Sequence, residues 1–283
     1  MQKINEFHHH YPTNIKGKDY ICGDLQGCYT SLMNALKLLN FDESIDRLFC
    51  VGDLIDRGSE SMECATLIYE SWFITTQGNH EKLMWYSLLN QDESYIRCWM
   101  DNGGLWFKDE DHQLLYDIAL RFKELPLVIT VGEDNERFNI VHAELLRNSN
   151  DFSLFTSNND IDNWNFTIKD MDDMLWGRQI ISSRTPPMSY TLYDCPEPSI
   201  QFQTDNLSLT YCGHSIVPFR PIQIQRQIYL DTGCVNGFLP KNIKFQDRYP
   251  LTLACPKEEM FYCYTPNWRN LIKYPYNKMR YYK

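Results

Sequence analysis

Ten cysteines stand in this 283-residue chain, yet no two form a C-x-x-C pair, so the spacing of a structural zinc site is missing. No apolar run approaches the roughly 20 residues that a membrane helix needs. The opening MQKINEFHHHYPTNIKGKDY holds no apolar core segment, which argues against a secretion leader. Internal repeats and a linker-like stretch are also missing. Acidic residues stop before Thr265. Beyond it, Arg269, Lys273, Lys278, Arg280 and Lys283 alternate with Trp268, Tyr274, Tyr276, Tyr281 and Tyr282. This basic, aromatic tail (265–283) reads as a strap that packs its rings on an acidic body.

What is present is a soluble globular composition, 43% hydrophobic and 23% charged, with a formal net charge of −10. That balance argues against a basic nucleic-acid groove and against a stable nucleic-acid partner. Cysteines inside apolar runs, such as Cys50 in LFCVGD and Cys212 in LTYCGH, read as small hydrophobes in a reduced, cytoplasmic protein.

The first third alternates short apolar runs with helix-period segments. DYICGD (19–24), DRLFCVGD (46–53) and FITTQGNH (73–80) each read as a strand ending in a glycine turn. YTSLMNALKLLNF, ESMECATLIYESW and EKLMWYSLL read as the helices between and after them. The pattern predicts parallel strands in an α/β fold. Further on, 126–144 predicts a hairpin, 170–178 a short helix and 183–205, with four prolines, a long loop. LSLTYCGH, IQIQRQIYLDTGC, LTLAC and MFYCY predict further strands.

Chemistry-bearing residues collect at these strand ends: Asp24, Asp53, Asn79, His142 and His214. The carboxyl ends of strands hold the site in open α/β sheets. One histidine in such a place is more often a satisfied core residue than a ligand. His80, His142 and His214 together, beside carboxylates that follow glycine, point to a metal centre. The triplet His8, His9 and His10 reads as solvated.

GDLQG (23–27), GDLIDRG (52–58) and GNHE (78–81), in that order, resemble the motifs of the phosphoprotein phosphatase family of metallophosphoesterases, including the small bacterial and phage enzymes such as lambda phosphatase. VHAE (141–144), CGHS (212–215), LWGR (175–178), MDNGGLWF (100–107) and LDTGCVNG (230–237) resemble later segments of the same family. The resemblance covers about 19–255. It implies a β-sandwich of two mixed sheets flanked by helices, with 1–18 as an N-terminal extension and 19–264 as the metallophosphoesterase domain. It also implies two divalent ions, Mn²⁺ first, with Mg²⁺, Fe or Zn as other occupants.

On the matching positions the resemblance places Asp24, Gln26 and Asp53 on one ion, and Asp53, Asn79, His142 and His214 on the other. His80 becomes the general acid oriented by Asp56, while Arg57, Arg178 and Asn79 become substrate-binding residues. Alone, Arg57 would read as a structural ion pair and Asp56 as a helix cap. Two ions about 3.5–4 Å apart acidify a water and clamp phosphoryl oxygens, so the expected reaction is direct attack of metal-bound hydroxide on serine/threonine phosphoproteins.

Gln26 departs from the family histidine. Its amide oxygen is a neutral, hard donor suited to Mn²⁺ or Mg²⁺. A glutamine here also resembles symmetrical dinucleoside-tetraphosphatases, so a dinucleoside-polyphosphate or other nucleotide hydrolase is the alternative, and a phosphoprotein-binding pseudophosphatase a third. Glu144 departs from the usual glycine. Tyr211 and 183–205 are open candidates for substrate contacts. Oligomeric state is not legible.

Overall fold

The computed structural model describes residues 2–146, 159–162, 164–184, 207–217, 219–239, 243–267 and 270–282. In chain order the strands are β1 (Gln2–Asn5), β2 (His8–Tyr11), β3 (Asp19–Cys22), β4 (Arg47–Cys50), β5 (Phe73–Thr75), β6 (Val128–Val131), β7 (Phe138–Val141), β8 (Leu209–Cys212), β9 (Ile222–Ile224), β10 (Gln227–Tyr229), β11 (Leu251–Cys255), β12 (Met260–Tyr264), β13 (Ile272–Pro275) and β14 (Arg280–Tyr282). The helices are α1 (Tyr29–Leu39), α2 (Ser61–Thr66), α3 (Asn79–Asn90), α4 (Glu93–Asp101), α5 (His112–Lys123), α6 (Asn159–Asp162), α7 (Ile168–Trp176) and α8 (Gln179–Arg184).

Two mixed sheets result, as expected. One runs β13-β12-β11-β3-β4-β5 and the other β1-β2-β6-β7-β8-β10-β9-β14. Strand alternation decides how they pack. On β3, Tyr20 and Cys22 face the helices, where they meet Leu32 and Leu36 of α1 and Leu48 and Cys50 of β4. Ile21, between them, faces the other sheet and joins Phe49, Ile129, Ile140, Tyr211 and Ile228. The outer face of the eight-stranded sheet, with Val141, Cys212 and Tyr229, is covered by Met174, Leu175, Ile180 and Ile181 of α7 and α8. Side-chain caps start the helices: Asp92 accepts from Ser94 N and Tyr95 N, and Asp111 from Leu114 N.

Both chain ends join the sheets. Within the expected extension, β2 pairs parallel with β6, and β1 pairs antiparallel with β2. His8 is therefore not solvated. It is fully buried, and its Nε2 lies 2.8 Å from Thr130 Oγ1. A strand position facing inward outweighed the polarity of the triplet. In the tail, β13 pairs with β12 and β14 with β9. Tyr276 stacks on Phe261 with centroids 4.3 Å apart. The tail's Trp268 and Arg269, and 185–205 of the predicted loop, lie outside the described residues. Tyr211 is not at the site: it is buried between the sheets and its hydroxyl meets that of Tyr276 at 2.9 Å.

Candidate active site

Six strand ends converge. Asp24 follows β3, Asp53 follows β4, and Asn79 opens α3 just beyond β5. From the other sheet come His142 after β7, His214 after β8 and Asp231 after β10. Gly213 is required by contact, because a Cβ there would sit 2.0 Å from Asp24 Oδ1. Gln26, Asp53, Asp56, Arg57 and His214 all hold left-handed backbone, with φ of 45°, 53°, 78°, 65° and 62°. Such conformations cost on the order of 1–3 kcal/mol each and persist only where surroundings enforce them. Glu81 is one enforcer. Its buried carboxylate accepts from Asp53 N at 2.9 Å, Leu54 N at 2.8 Å and Gly78 N at 2.8 Å. Burial and the Asp53 charge push its pKa up to about 7 despite those donors.

The Asp53 carboxylate accepts from His80 N at 3.1 Å and Gln26 Nε2 at 2.9 Å, and further ligand-capable atoms gather on its Oδ1 side. Ligand atoms of Asp53, His142 and His214 lie within 4.8 Å of one another, and all three residues are buried. His142 Nδ1 lies 2.9 Å from Val51 O, a group that can only accept, so the proton sits on Nδ1. His142 Nε2 then presents a lone pair, yet it faces Asn79 Oδ1 at 2.8 Å and Asp53 Oδ1 at 3.3 Å. Burial holds the His142 pKa low, against the pull of Asp53, which keeps the ring neutral and its Nε2 lone pair available. His214 is lowered to about 3, by burial and by His142. Its Nε2 is buried with no hydrogen-bond partner among the described residues. Converging oxygens and neutral imidazole nitrogens fit a divalent cation.

On the other side of Asp53, Gln26 Nε2 donates to Asp53 Oδ2 at 2.9 Å. Its Oε1 is buried without a partner among the described residues, which leaves the hard oxygen available to an ion. Asp24 accepts the His214 amide at 3.1 Å on each oxygen, linking the two halves. Burial and the charges of Asp231 and Asp53 raise the Asp24 pKa well above the carboxylate range. Asp231, raised to about 6 mainly by burial, accepts from Gly233 N at 2.8 Å. Sequence reasoning passed over Asp231, although IYLD carries the same strand-then-aspartate signal as the others.

His80 and Asp56 form the expected pair, with His80 Nδ1 2.5 Å from Asp56 Oδ2. His80 Nε2 then faces the site, 3.7 Å from Asp53 Oδ2. Burial opposes a charge on this ring, but Asp53 and Asp56 outweigh it and raise its pKa above 6.5. Two tryptophans not foreseen as site residues support the pair: Trp99 Nε1 and Trp106 Nε1 both donate to the Asp56 carboxylate. The exposed Arg57 lines a cavity of about 220 Å³ with Gly27, Cys28, Val235 and Phe238. Arg178, also exposed, donates from Nη2 to His214 O at 3.1 Å.

The family model described as calcineurin-like phosphoesterase matches residues 20–218. The chain is 29% identical over 229 residues to serine/threonine-protein phosphatase 2 of Salmonella typhimurium, covering 80% of this chain and 90% of that one. It is 31% identical over 140 residues to a symmetrical bis(5'-nucleosyl)-tetraphosphatase of Pasteurella multocida, covering 49% of this chain and 47% of that one. A solved serine/threonine phosphatase from Saccharomyces cerevisiae matches with a TM-score of 0.56 at 17% identity, over 94% of this chain and 82% of that one, a likeness of fold. With the acceptor-lined strand ends and the His80–Asp56 pair, these likenesses converge on one conclusion: the chain belongs to the calcineurin-like phosphoesterase family and is a phosphatase-type hydrolase.

Proposed function

We propose that the protein hydrolyses phosphate monoesters of serine/threonine phosphoproteins with two divalent ions, Mn²⁺ by preference. The observation that carries this reading is the convergence of ligand-capable atoms of Asp53, Asn79, His142 and His214 beside an Asp56-backed His80. Asp53, Asn79, His142 and His214 would hold one ion, and Asp24, Gln26 and Asp53 the other. When bound, such a pair acidifies a water and neutralises phosphoryl oxygens.

The chain's own residues do the rest. Arg57 and Arg178 grip the phosphoryl oxygens with planar forks that a lysine would not reproduce. As a water-derived oxygen bonds to phosphorus in line, the ester P–O bond breaks and its electron pair goes to the leaving oxygen, which takes the proton from His80 Nε2. Asp56 holds Nδ1–H, fixing the ring's orientation and balancing its charge beforehand. Cytoplasmic placement is supported by the buried free thiols of Cys22, Cys50, Cys64 and Cys212. No helix among the described residues is long and apolar enough to cross a membrane.

The test is the rate on p-nitrophenyl phosphate after metals are stripped and Mn²⁺ is returned. A Mn²⁺-dependent rise that Asp53→Asn abolishes is expected. No rise, with Asp53→Asn equal to wild type, overturns the proposal. Gln26 and the tetraphosphatase likeness favour a second reading, a dinucleoside-polyphosphate hydrolase. Parallel rates on a phosphoserine peptide and on diadenosine tetraphosphate separate the two.

A further inference from the structure

Glu144 lies two residues beyond His142 and is fully buried. Its carboxylate meets three donors from two distant segments. Oε2 accepts from Ile180 N at 2.9 Å, and Oε1 accepts from Ile181 N at 2.9 Å and from the Tyr229 hydroxyl at 2.8 Å. Ile180 and Ile181 stand in the first turn of α8, which begins immediately after Arg178. Tyr229 ends β10, the strand that delivers Asp231. A second tie runs alongside, from Ala143 N to Met174 O at 2.7 Å. One side chain thus joins the His142 strand end, the Asp231 strand and the backbone that carries Arg178.

Burying a carboxylate is costly unless donors replace its water. A fold needing only apolar filling under α8 would be served by an aliphatic residue among Ile180, Ile181 and Tyr229. What a carboxylate adds is direction: two N–H groups can meet its oxygens only if α8 starts at one place and angle. Arg178 is the residue before that start, and its guanidinium reaches the His214 carbonyl.

We propose that Glu144 is a positioning residue for phosphate recognition: by fixing the start of α8 against the His142 and Asp231 strands, it sets Arg178 over the phosphate subsite. This rests on the phosphatase reading, in which Arg178 grips the substrate.

The experiment is a double-mutant cycle read by calorimetric binding of inorganic phosphate to the Mn²⁺-loaded full chain, which needs no turnover. Glu144→Gln keeps the shape but offers one acceptor where three donors converge. Its phosphate affinity should fall about tenfold, the size of one weakened charge-assisted contact. Its Mn²⁺ content should stay at the wild-type level, and Glu144→Asp should recover part of the loss. In an Arg178→Ala background, Glu144→Gln should change phosphate affinity less than about twofold, because the two act as a unit. Equal losses in both backgrounds, or unchanged affinity in Glu144→Gln, overturn the proposal. Should Glu144→Gln fail to fold, Glu144→Asp runs the same cycle and decides by the same criterion. Phosphate binding without turnover in wild type would count against the phosphatase reading while the cycle still decides the role of Glu144.

Discussion

The indole nitrogen of Trp99 lies 3.0 Å from each carboxylate oxygen of Asp56, so a single N–H is shared across the whole anion. Trp106 adds a second indole at 2.7 Å from Oδ1. Asp56 is fully buried, and these donors replace the water it has lost. They also leave Oδ2 as the anchor for His80.

Replacing either tryptophan by phenylalanine keeps the ring and deletes the donor. A hydrogen bond to a buried charge is worth about 1.5–3 kcal/mol, so Trp99→Phe and Trp106→Phe should each lower melting stability. On the proposed mechanism Asp56 orients the proton donor, so kcat should fall roughly tenfold while KM stays within about twofold. Steady-state kinetics on p-nitrophenyl phosphate check this, and an unchanged kcat would separate the indoles from catalysis.

His8 should contribute to acid lability outside the candidate site. Burial lowers its pKa to about 4; Asp162 pulls it up, while Arg137, His10 and His9 push it down. Thr130 Oγ1 donates to Asn139 Oδ1 at 2.9 Å, so it accepts from His8 Nε2–H. That leaves Nδ1 bare and buried, without a partner among the described residues. The unfolded chain, with a histidine near 6.5, binds more protons between pH 6.5 and 4. The stability contribution is therefore whole above pH 6.5 and lost as pH falls toward 4, by about 3 kcal/mol at most. In His8→Gln the melting temperature should depend less steeply on pH across that window. Identical slopes would mean that His8 does not titrate there.

Metal choice should follow Gln26. In Gln26→His the imidazole replaces a hard amide oxygen, and occupancy should shift from Mn²⁺ toward zinc or iron while activity is kept or raised. Elemental analysis after exposure to equimolar mixed metals gives the answer. Loss of all metal in the variant would show a pocket built around the amide itself.

Gly213→Ala would place a methyl 2.0 Å from Asp24 Oδ1 and 2.5 Å from Val51 Cγ2. Asp24 must then move, and with it the grip on the His214 amide. Calorimetric titration should find Mn²⁺ binding weakened at least tenfold, alongside a stability loss of about 2 kcal/mol from overpacking. Wild-type Mn²⁺ affinity in this variant would rule Asp24 out of the metal site.

The strand ends were legible because their signal is local: an apolar run, a glycine, then Asp, Asn or His. Asp24, Asp53, Asn79 and His214 carry it whole, His142 carries it without the glycine, and the structure brings all five together. Trp99 and Trp106 were not legible as partners of Asp56. They sit 43 and 50 residues away on α4 and the turn after it, where an aromatic reads as ordinary core. His8 misled because polarity was weighed without a strand partner, and β2 exists only through its pairing with β6. Tyr211 was an open candidate from its place in the sequence, three residues before His214, whereas its hydroxyl meets that of Tyr276 inside the sandwich. The edge strands β1, β13 and β14 carry charges and prolines that obscure period-2 alternation.

The tail gives the molecule a clasp. β13 lies on the edge of one sheet and β14 on the edge of the other, with only Tyr276–Met279 between them. Asp24, Asp53 and Asn79 project from the first sheet, and His142, His214 and Asp231 from the second. The proposed metal site therefore depends on how the layers are aligned, and slippage between them would open the proposed ligand set along its seam. Cutting the chain after residue 269 would leave every proposed ligand in place. It should nevertheless weaken Mn²⁺ retention during dialysis, because what the clasp preserves is alignment.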